Sequence, residues 1–236
     1  MTVFTLFGTR RRLSIKGLLP LVALCTLFLL IFSLSLRSAG IDIDRLQRLA
    51  FENYGDSGRE TVAKWHEMVG ATRGKPTQQQ LTRVNDFFNT RIRWLSDQDI
   101  YSVDDHWATP LETMGRLAGD CEDFVIAKYV SLILAGVSPE SLRLIYVKAR
   151  APGRPPEAHM VLAWYETPGS EPLILDNMNL AIRPASKRAD LTPIFSFNGD
   201  GLWLASKKTN ATPVARITRW RLVLQTMRQE GIDPGF

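Results

Sequence analysis

The stretch GDCEDFVIAKYVSLILA, residues 119–135, decides how the rest of the chain is interpreted. Asp120 is predicted to cap the start of a helix, and Gly136 to cap its end. Only Lys128 and Ser131 interrupt the apolar run. A helix that is apolar on all sides is a buried one, so we expect this cysteine-bearing helix to lie in the core.

Helices are predicted before this stretch and mainly strands after it. Thr77 with Gln80, and Thr109 with Glu112, have the spacing of capping boxes that start helices. Alternating and apolar runs then predict a meander of strands, and this order is typical of an α+β domain. The predicted helices cover 41–56, 57–70, 77 onward, 109–118, 120–135 and 214–230; the predicted strands cover 142–147, 159–165, 172–176, 194–198 and 202–204.

The charge distribution argues against a nucleic-acid-binding protein, although the sequence pI is about 9.4. The chain has 29 Lys and Arg against 24 Asp and Glu, and all five excess positive charges lie before residue 40. The remainder is neutral overall, so no basic excess supports a binding surface for phosphates.

Residues 1–39 have the pattern of an export signal. A basic cluster from Arg10 to Lys16 precedes the uncharged apolar run 17–36. The run is long for a signal peptide and nearly long enough to span a bilayer. We therefore expect either a signal peptide cleaved after Ser35 or an N-terminal membrane anchor. In both cases residues 40–236 form an exported, periplasmic domain.

Cys121 is the only cysteine of the predicted exported domain, because Cys25 lies inside the apolar signal run. An intramolecular disulfide is then impossible. A lone thiol in an oxidising compartment is a candidate reactive group. The alternative is a buried structural cysteine, since this residue type is often buried.

A cysteine nucleophile needs a base and a third group that orients the base. We favour His159 as the base. If the strands around Thr167-Pro168 form a hairpin whose paired positions include Val161 and Ile174, Asp176 lies directly opposite His159. A carboxylate at that place can hold an imidazole nitrogen. A slip of one residue would separate the two side chains.

Other assignments of these polar residues stay open. His159 and Asp176 could form a structural hydrogen bond without a catalytic role. His106 lies in a polar, aromatic loop near the cysteine and could serve as the base, whereas His66 has the position of a surface residue. Asn177 or Asn179 could orient the histidine in place of Asp176, since an amide also accepts a hydrogen bond.

The start of a helix is a place where the pKa of a thiol is lowered, because the helix dipole and free N–H groups favour the thiolate. The same N–H groups can contribute to an oxyanion hole. The acidic neighbours Asp120, Glu122 and Asp123 oppose this effect. Either they only cap the helix, or they bind a cation through oxygen ligands of the kind that Ca²⁺ prefers.

Three motifs together resemble those of the bacterial transglutaminase-like cysteine proteinases. They are GDCED at residues 119–123, AHMVL at 158–162 and LDN at 175–177, and the resemblance covers roughly residues 60–205. It also includes WATP at 107–110 and SFN at 196–198. The resemblance implies a papain/transglutaminase-like fold in which the cysteine-bearing helix packs on an antiparallel sheet.

The resemblance also implies a function. Cys121, His159 and Asp176 would form the catalytic triad, and Ca²⁺ would be bound with the help of Asp120 and Glu122. Members of this family cut a large surface adhesin near its N-terminus and so promote biofilm dispersal. An inner-membrane cyclic-di-GMP receptor restrains them by sequestration. A transglutaminase or amidase with the same triad, and a non-catalytic binding module, are the alternatives; a complete triad disfavours the module.

Overall fold

The computed structural model describes residues 39–204 and 207–236. Residues Ser38–Phe236 form one compact unit. The predicted export segment lies outside the described residues, apart from its last residue, Ala39. No helix of the described part is long and apolar enough to cross a membrane. Helices α1 to α7 span Ile43–Thr72, Thr77–Arg91, Asp97–Tyr101, Pro110–Arg116, Cys121–Leu134, Pro213–Arg216 and Thr218–Glu230.

Eleven strands are found in the described ranges, and seven of them form one sheet. The order in this sheet is β10-β9-β8-β4-β5-β6-β7, with all neighbours antiparallel. Strands β1 to β11 span Gly40–Ile41, Arg93–Trp94, Ala118–Gly119, Leu142–Ala149, Glu157–Trp164, Leu173–Leu175, Arg183–Pro184, Leu191–Phe197, Leu202–Leu204, Lys207–Lys208 and Ile232–Asp233.

The cysteine-bearing helix α5 is buried, as the sequence predicts. Twelve of its residues, Asp123 to Leu134, are buried, and Ile126 and Tyr129 are fully so. It packs on β5 and on helix α2 within the main hydrophobic core. The predicted α+β class, with a buried cysteine-bearing helix on an antiparallel sheet, is confirmed.

Local signals set several helix boundaries correctly. Helix α1 is interrupted at Gly55, whose φ of 69° lies in the left-handed region, and this is the predicted break near residue 56. The capping box of Thr109 and Glu112 is present. The one predicted for Thr77 and Gln80 is wrong: Pro76 is the N-cap, and the buried amide of Gln80 donates to backbone carbonyls instead.

The predicted register of the β5–β6 hairpin is wrong by two residues. Leu162 pairs with Leu175 and Ala163 with Ile174, and strand β6 ends before Asp176. A shift of two keeps every side chain on its predicted face, whereas a shift of one would have reversed the faces. Asp176 therefore stays on the same face as His159 as a diagonal neighbour rather than a directly opposed one.

Candidate active site

Cys121, His159 and Asp176 line one cleft of about 690 Å³. Each comes from a different element: Cys121 is the first residue of α5, His159 lies in β5, and Asp176 follows β6. The packing of α5 on β5 brings the thiol to the sheet, and the hairpin of β5 and β6 brings the carboxylate to the histidine. All three residues that the sequence singled out as a triad are thus brought together.

The histidine and the aspartate form a buried pair. His159 Nε2 lies 2.8 Å from Asp176 Oδ1, and the two residues are 3% and 1% exposed. Because the aspartate is ionised, the geometry fixes the tautomer with the proton on Nε2. The other ring nitrogen, Nδ1, makes no hydrogen bond to another described residue and is left to accept a proton.

Two hydrogen bonds and one ion pair keep Asp176 ionised in a buried place. Burial alone would raise the pKa of Asp176. The hydrogen bonds from His159, from the N–H of Met178 and from Arg188 outweigh burial and lower this pKa to about 2. The carboxylate can therefore orient the imidazole, and stabilise its protonated form, at any pH near neutrality.

The Cys121 thiol lies among negative groups. Its Sγ donates a hydrogen bond to Glu122 Oε2 at 2.6 Å. Burial, the charges of Glu122 and Asp120, and that hydrogen bond raise the pKa of Cys121 well above its usual value; only the N–H of Met160 acts the other way. Since Met160 directly follows His159 in β5, the thiol lies beside this strand, next to the histidine. Without a compensating positive charge, this environment favours the thiol over the thiolate.

The acidic residues around the cysteine form two overlapping groups. Ligand atoms of Asp120, Cys121 and Glu122 lie within 4.8 Å of one another, and so do carboxylate oxygens of Asp97, Asp120 and Asp123. Asp123 also completes a capping box with Asp120 and accepts a hydrogen bond from the N–H of Ala108. Burial, followed by repulsion from neighbouring carboxylates, raises the pKa of Asp120.

Asp97 is a member of this cluster that the sequence did not reveal. It starts helix α3, in the polar segment before His106 that the sequence predicts to be a loop, and it is 5% exposed. Its Oδ2 accepts a hydrogen bond from the N–H of His106, whereas its Oδ1 is buried and has no partner among the described residues. An unpartnered, buried carboxylate oxygen beside two further carboxylates fits an oxygen-coordinated cation such as Ca²⁺.

The alternative base and the alternative orienting groups are not supported. His106 Nε2 lies 3.4 Å from Glu112 Oε2, and the cavity that His106 lines does not include Cys121. His66 is exposed on α1. Asn177 lines the cleft, but its side-chain amide has no hydrogen-bond partner in the described part of the chain. Of the candidates Asp176, Asn177 and Asn179, only Asp176 forms a hydrogen bond with the His159 side chain.

Behind the aspartate lies a buried lysine whose role sequence reasoning missed. Lys128 is fully buried in α5, and its Nζ donates to Asn85 Oδ1 at 2.9 Å and to the backbone carbonyl of Asp176 at 3.2 Å. Asn89 donates to the same carbonyl. The one lysine in an otherwise apolar helix was the available signal, because such a residue needs buried partners.

Both apolar and positively charged side chains line the cleft at exposed positions. Trp94, Met178 and Leu180 line it and are 61%, 61% and 58% exposed. Arg150 and Arg154, from the loop between β4 and β5, are exposed and complete the rim. Exposed apolar side chains around a concave surface are typical of a site that binds a polypeptide or another partly apolar ligand.

Solved structures of LapG from Legionella pneumophila are similar to this chain. One shares 37% identity, with a TM-score of 0.69, and covers 80% of this chain and 99% of the LapG chain. An EGTA-treated form and a calcium-bound form share the same identity, with TM-scores of 0.69 and 0.68. They cover 80% and 79% of this chain, and 100% and 99% of the LapG chains. A comparison with curated protein sequences finds no match.

The family model for the bacterial transglutaminase-like cysteine proteinases matches residues 48–191. This range includes Cys121, His159 and Asp176. It also includes the acidic cluster of Asp97, Asp120 and Asp123. The match to the LapG structures extends over 99% or more of each LapG chain. The chain therefore belongs to the bacterial transglutaminase-like cysteine proteinases.

Proposed function

We propose that the chain is a calcium-dependent cysteine endopeptidase of the periplasm, with Cys121, His159 and Asp176 as its catalytic triad. The buried 2.8 Å contact between His159 and Asp176, in a cleft that also contains the Cys121 thiol, is the observation that carries this proposal. A nucleophile, a base and a carboxylate that orients the base are the three groups that acyl transfer through cysteine requires.

The reaction follows from these positions. Cys121 Sγ attacks the peptide carbonyl carbon after its proton passes to His159 Nδ1. The carbon–nitrogen bond then breaks, the leaving amine takes the proton from His159, and a thioester remains on Cys121. Water, deprotonated by His159, hydrolyses the thioester and restores the thiol. Asp176 keeps Nε2 protonated in each step.

The oxyanion that forms during the attack has one candidate donor in helix α5. The N–H groups of Glu122 and Asp123 are already bonded to Asp120 Oδ1. The N–H of Cys121, which begins the helix, makes no hydrogen bond to another described residue. We assign it to the oxyanion hole, where the helix dipole also favours negative charge.

Asp97, Asp120 and Asp123 would hold the calcium ion, with Glu122 within reach of the same cluster. When bound, Ca²⁺ supplies positive charge that offsets the carboxylates and so favours the Cys121 thiolate. The donor set is all oxygen, as this ion prefers. The calcium-bound LapG structure supports the same conclusion for a relative.

The substrate and control follow from the family resemblance. We propose that the chain cleaves the N-terminal region of a large surface adhesin, which releases the adhesin and promotes biofilm dispersal. An inner-membrane cyclic-di-GMP receptor would restrain it. The exposed Trp94, Met178 and Leu180 offer an apolar wall for such a polypeptide. Export to the periplasm rests on the signal pattern of residues 1–39.

The test uses the exported domain and the N-terminal fragment of a candidate adhesin. We expect cleavage with calcium, none after chelation by EGTA, and none for Cys121→Ala, whose fold should be intact by circular dichroism. Adding a primary amine separates the activities: incorporation of the amine instead of hydrolysis would indicate a transglutaminase. Cleavage by Cys121→Ala would refute the assignment of the nucleophile.

The calcium site is tested by titration calorimetry. Asp97→Asn should weaken calcium binding about tenfold or more, since it removes one charged ligand. Asp104→Asn is the matched control, because Asp104 is exposed on the same segment and lies outside the cluster. Equal affinity of Asp97→Asn and the wild type would exclude Asp97 from the site.

A further inference from the structure

Arg188 is a buried arginine that contacts the proposed triad from behind. It follows the 3₁₀ turn Ala185–Lys187 and precedes β8, and its side chain is 3% exposed. Its Nη2 donates to Asp176 Oδ2 at 2.7 Å. Its Nε and Nη2 also contact Asp190, at distances of 2.7 to 3.2 Å, and the Asp190 side chain is 41% exposed.

These contacts divide the two oxygens of Asp176 between two partners. Oδ1 bonds His159 Nε2 and the N–H of Met178, whereas Oδ2 bonds Arg188. A carboxylate held at one oxygen only could rotate about its Cβ–Cγ bond. The guanidinium has a rigid, planar set of donors and is itself anchored on Asp190, so it blocks that rotation.

We propose that Arg188 is a positioning residue: it holds Asp176 so that the other carboxylate oxygen is aimed at His159. This inference rests on the cysteine-protease function proposed above. Arg188 also places a buried cation next to the carboxylate.

Several other charged or titratable groups share the cleft with His159. Besides Asp176 and Arg188, the titratable or cationic residues that line the same cleft are Cys121, Arg150, Arg154, Glu157 and Asp190. Among the described residues, only Asp176 makes a hydrogen bond or ion pair with the side chain of His159. Arg188 is therefore placed to act on the histidine through Asp176 alone.

Three variants test this role in the calcium-loaded protein. Arg188→Met removes the donors and the charge, Arg188→Lys keeps the charge without the planar donor set, and Asp190→Asn loosens the outer anchor. Arg183→Met is the matched control, an exposed arginine on β7 outside the cleft. Since Arg188→Met leaves two carboxylates uncompensated and could unfold, the other two variants keep the test valid.

The first measurement is the proton NMR signal of the His159 Nε2–H, which a hydrogen bond to a buried carboxylate shifts to low field. It needs no substrate. We expect the signal to be lost or broadened in Arg188→Met, weakened in Asp190→Asn and unchanged in Arg183→Met. A signal identical to wild type in every folded Arg188 variant would overturn the inference, whether or not the protein cleaves an adhesin.

The second measurement is cleavage of the adhesin fragment that the wild type cuts. Misplacement of the histidine should lower kcat up to about 100-fold and leave KM within a factor of two, because the side chain of Arg188 is buried behind Asp176 and offers the substrate little surface. A fall in activity through KM alone would contradict a positioning role.

Discussion

Replacing Lys128 by Met should change how the stability of the protein depends on pH. Burial lowers the pKa of Lys128 from its usual 10.5 to about 7, although Asp176 and Asp86 act in the opposite direction. Below pH 7 the lysine is charged in both the folded and the unfolded state. Between pH 7 and 10.5 only the unfolded state keeps the proton, so the free energy of unfolding of the wild type rises with pH.

The magnitude follows from this difference in pKa. Each pKa unit corresponds to about 1.4 kcal/mol, so the charged lysine costs the folded state roughly 5 kcal/mol at low pH. About 2 kcal/mol of this is recovered between pH 7 and pH 9. Lys128→Met has no group that titrates at this place. It also loses the hydrogen bonds to Asn85 and to the carbonyl of Asp176, but that loss is the same at every pH in this range.

The assay is urea unfolding at pH 7, 8 and 9 in saturating calcium, which keeps the acidic cluster in one state. Between pH 7 and pH 9, we expect the free energy of unfolding of the wild type to rise by about 2 kcal/mol relative to that of Lys128→Met. For Lys64→Met, at an exposed position on α1, the free energy of unfolding should depend on pH in the same way as that of the wild type. If Lys128→Met also shows the same pH dependence as the wild type, Lys128 is charged in the folded state from pH 7 to pH 9, and the lowered pKa is wrong.

Two further substitutions test the packing around the site. Gly119→Ala would place its Cβ 2.8 Å from Asp123 Cβ and should weaken calcium binding about tenfold or more, measured by calorimetry; Gly70→Ala, where the added Cβ meets nothing within 4 Å, should leave the affinity unchanged. Trp65→Phe removes the 2.7 Å hydrogen bond from Trp65 Nε1 to the buried Ser131 and should lower the free energy of unfolding by about 1–3 kcal/mol. Trp94→Phe, at an exposed position, should stay within about 0.5 kcal/mol of the wild type in the same urea experiment.

The sequence predicts which face of the hairpin each residue occupies, but it does not predict which residues are paired across the two strands. Apolar alternation defines which face each residue of β5 and β6 occupies, because side chains alternate with a period of two. It does not define which residues are opposite, since that depends on the conformation of the turn between Trp164 and Leu173. The predicted register was wrong, and His159 and Asp176 still meet, because an even shift preserves the face.

Polar residues at the core were harder to interpret from the sequence than apolar ones. The apolar run of α5 predicts burial correctly, since burial depends on the character of the whole helix. The partners of Lys128 and Ser131 come from α2 and α1, at separations of 43 and 66 residues. No local spacing rule relates residues so far apart in sequence. Arg188 was missed for the same reason: its partner Asp176 is identified only when the loop after β7 folds back.

The two explanations of the acidic cluster differ in what they require. Capping of α5 requires Asp120, whose Oδ1 accepts hydrogen bonds from two N–H groups, and Asp123, whose Oδ2 accepts one from the N–H of Asp120. Asp97 takes no part in this capping, because it belongs to another helix. One of its carboxylate oxygens lies within 4.8 Å of those of Asp120 and Asp123, and its buried Oδ1 has no hydrogen-bond partner among the described residues. Burying a third carboxylate beside two others is unfavourable unless a cation is shared among them. Asp97 therefore favours calcium over capping alone, and the sequence could not single it out because Asp99, Asp104 and Asp105 lie in the same segment.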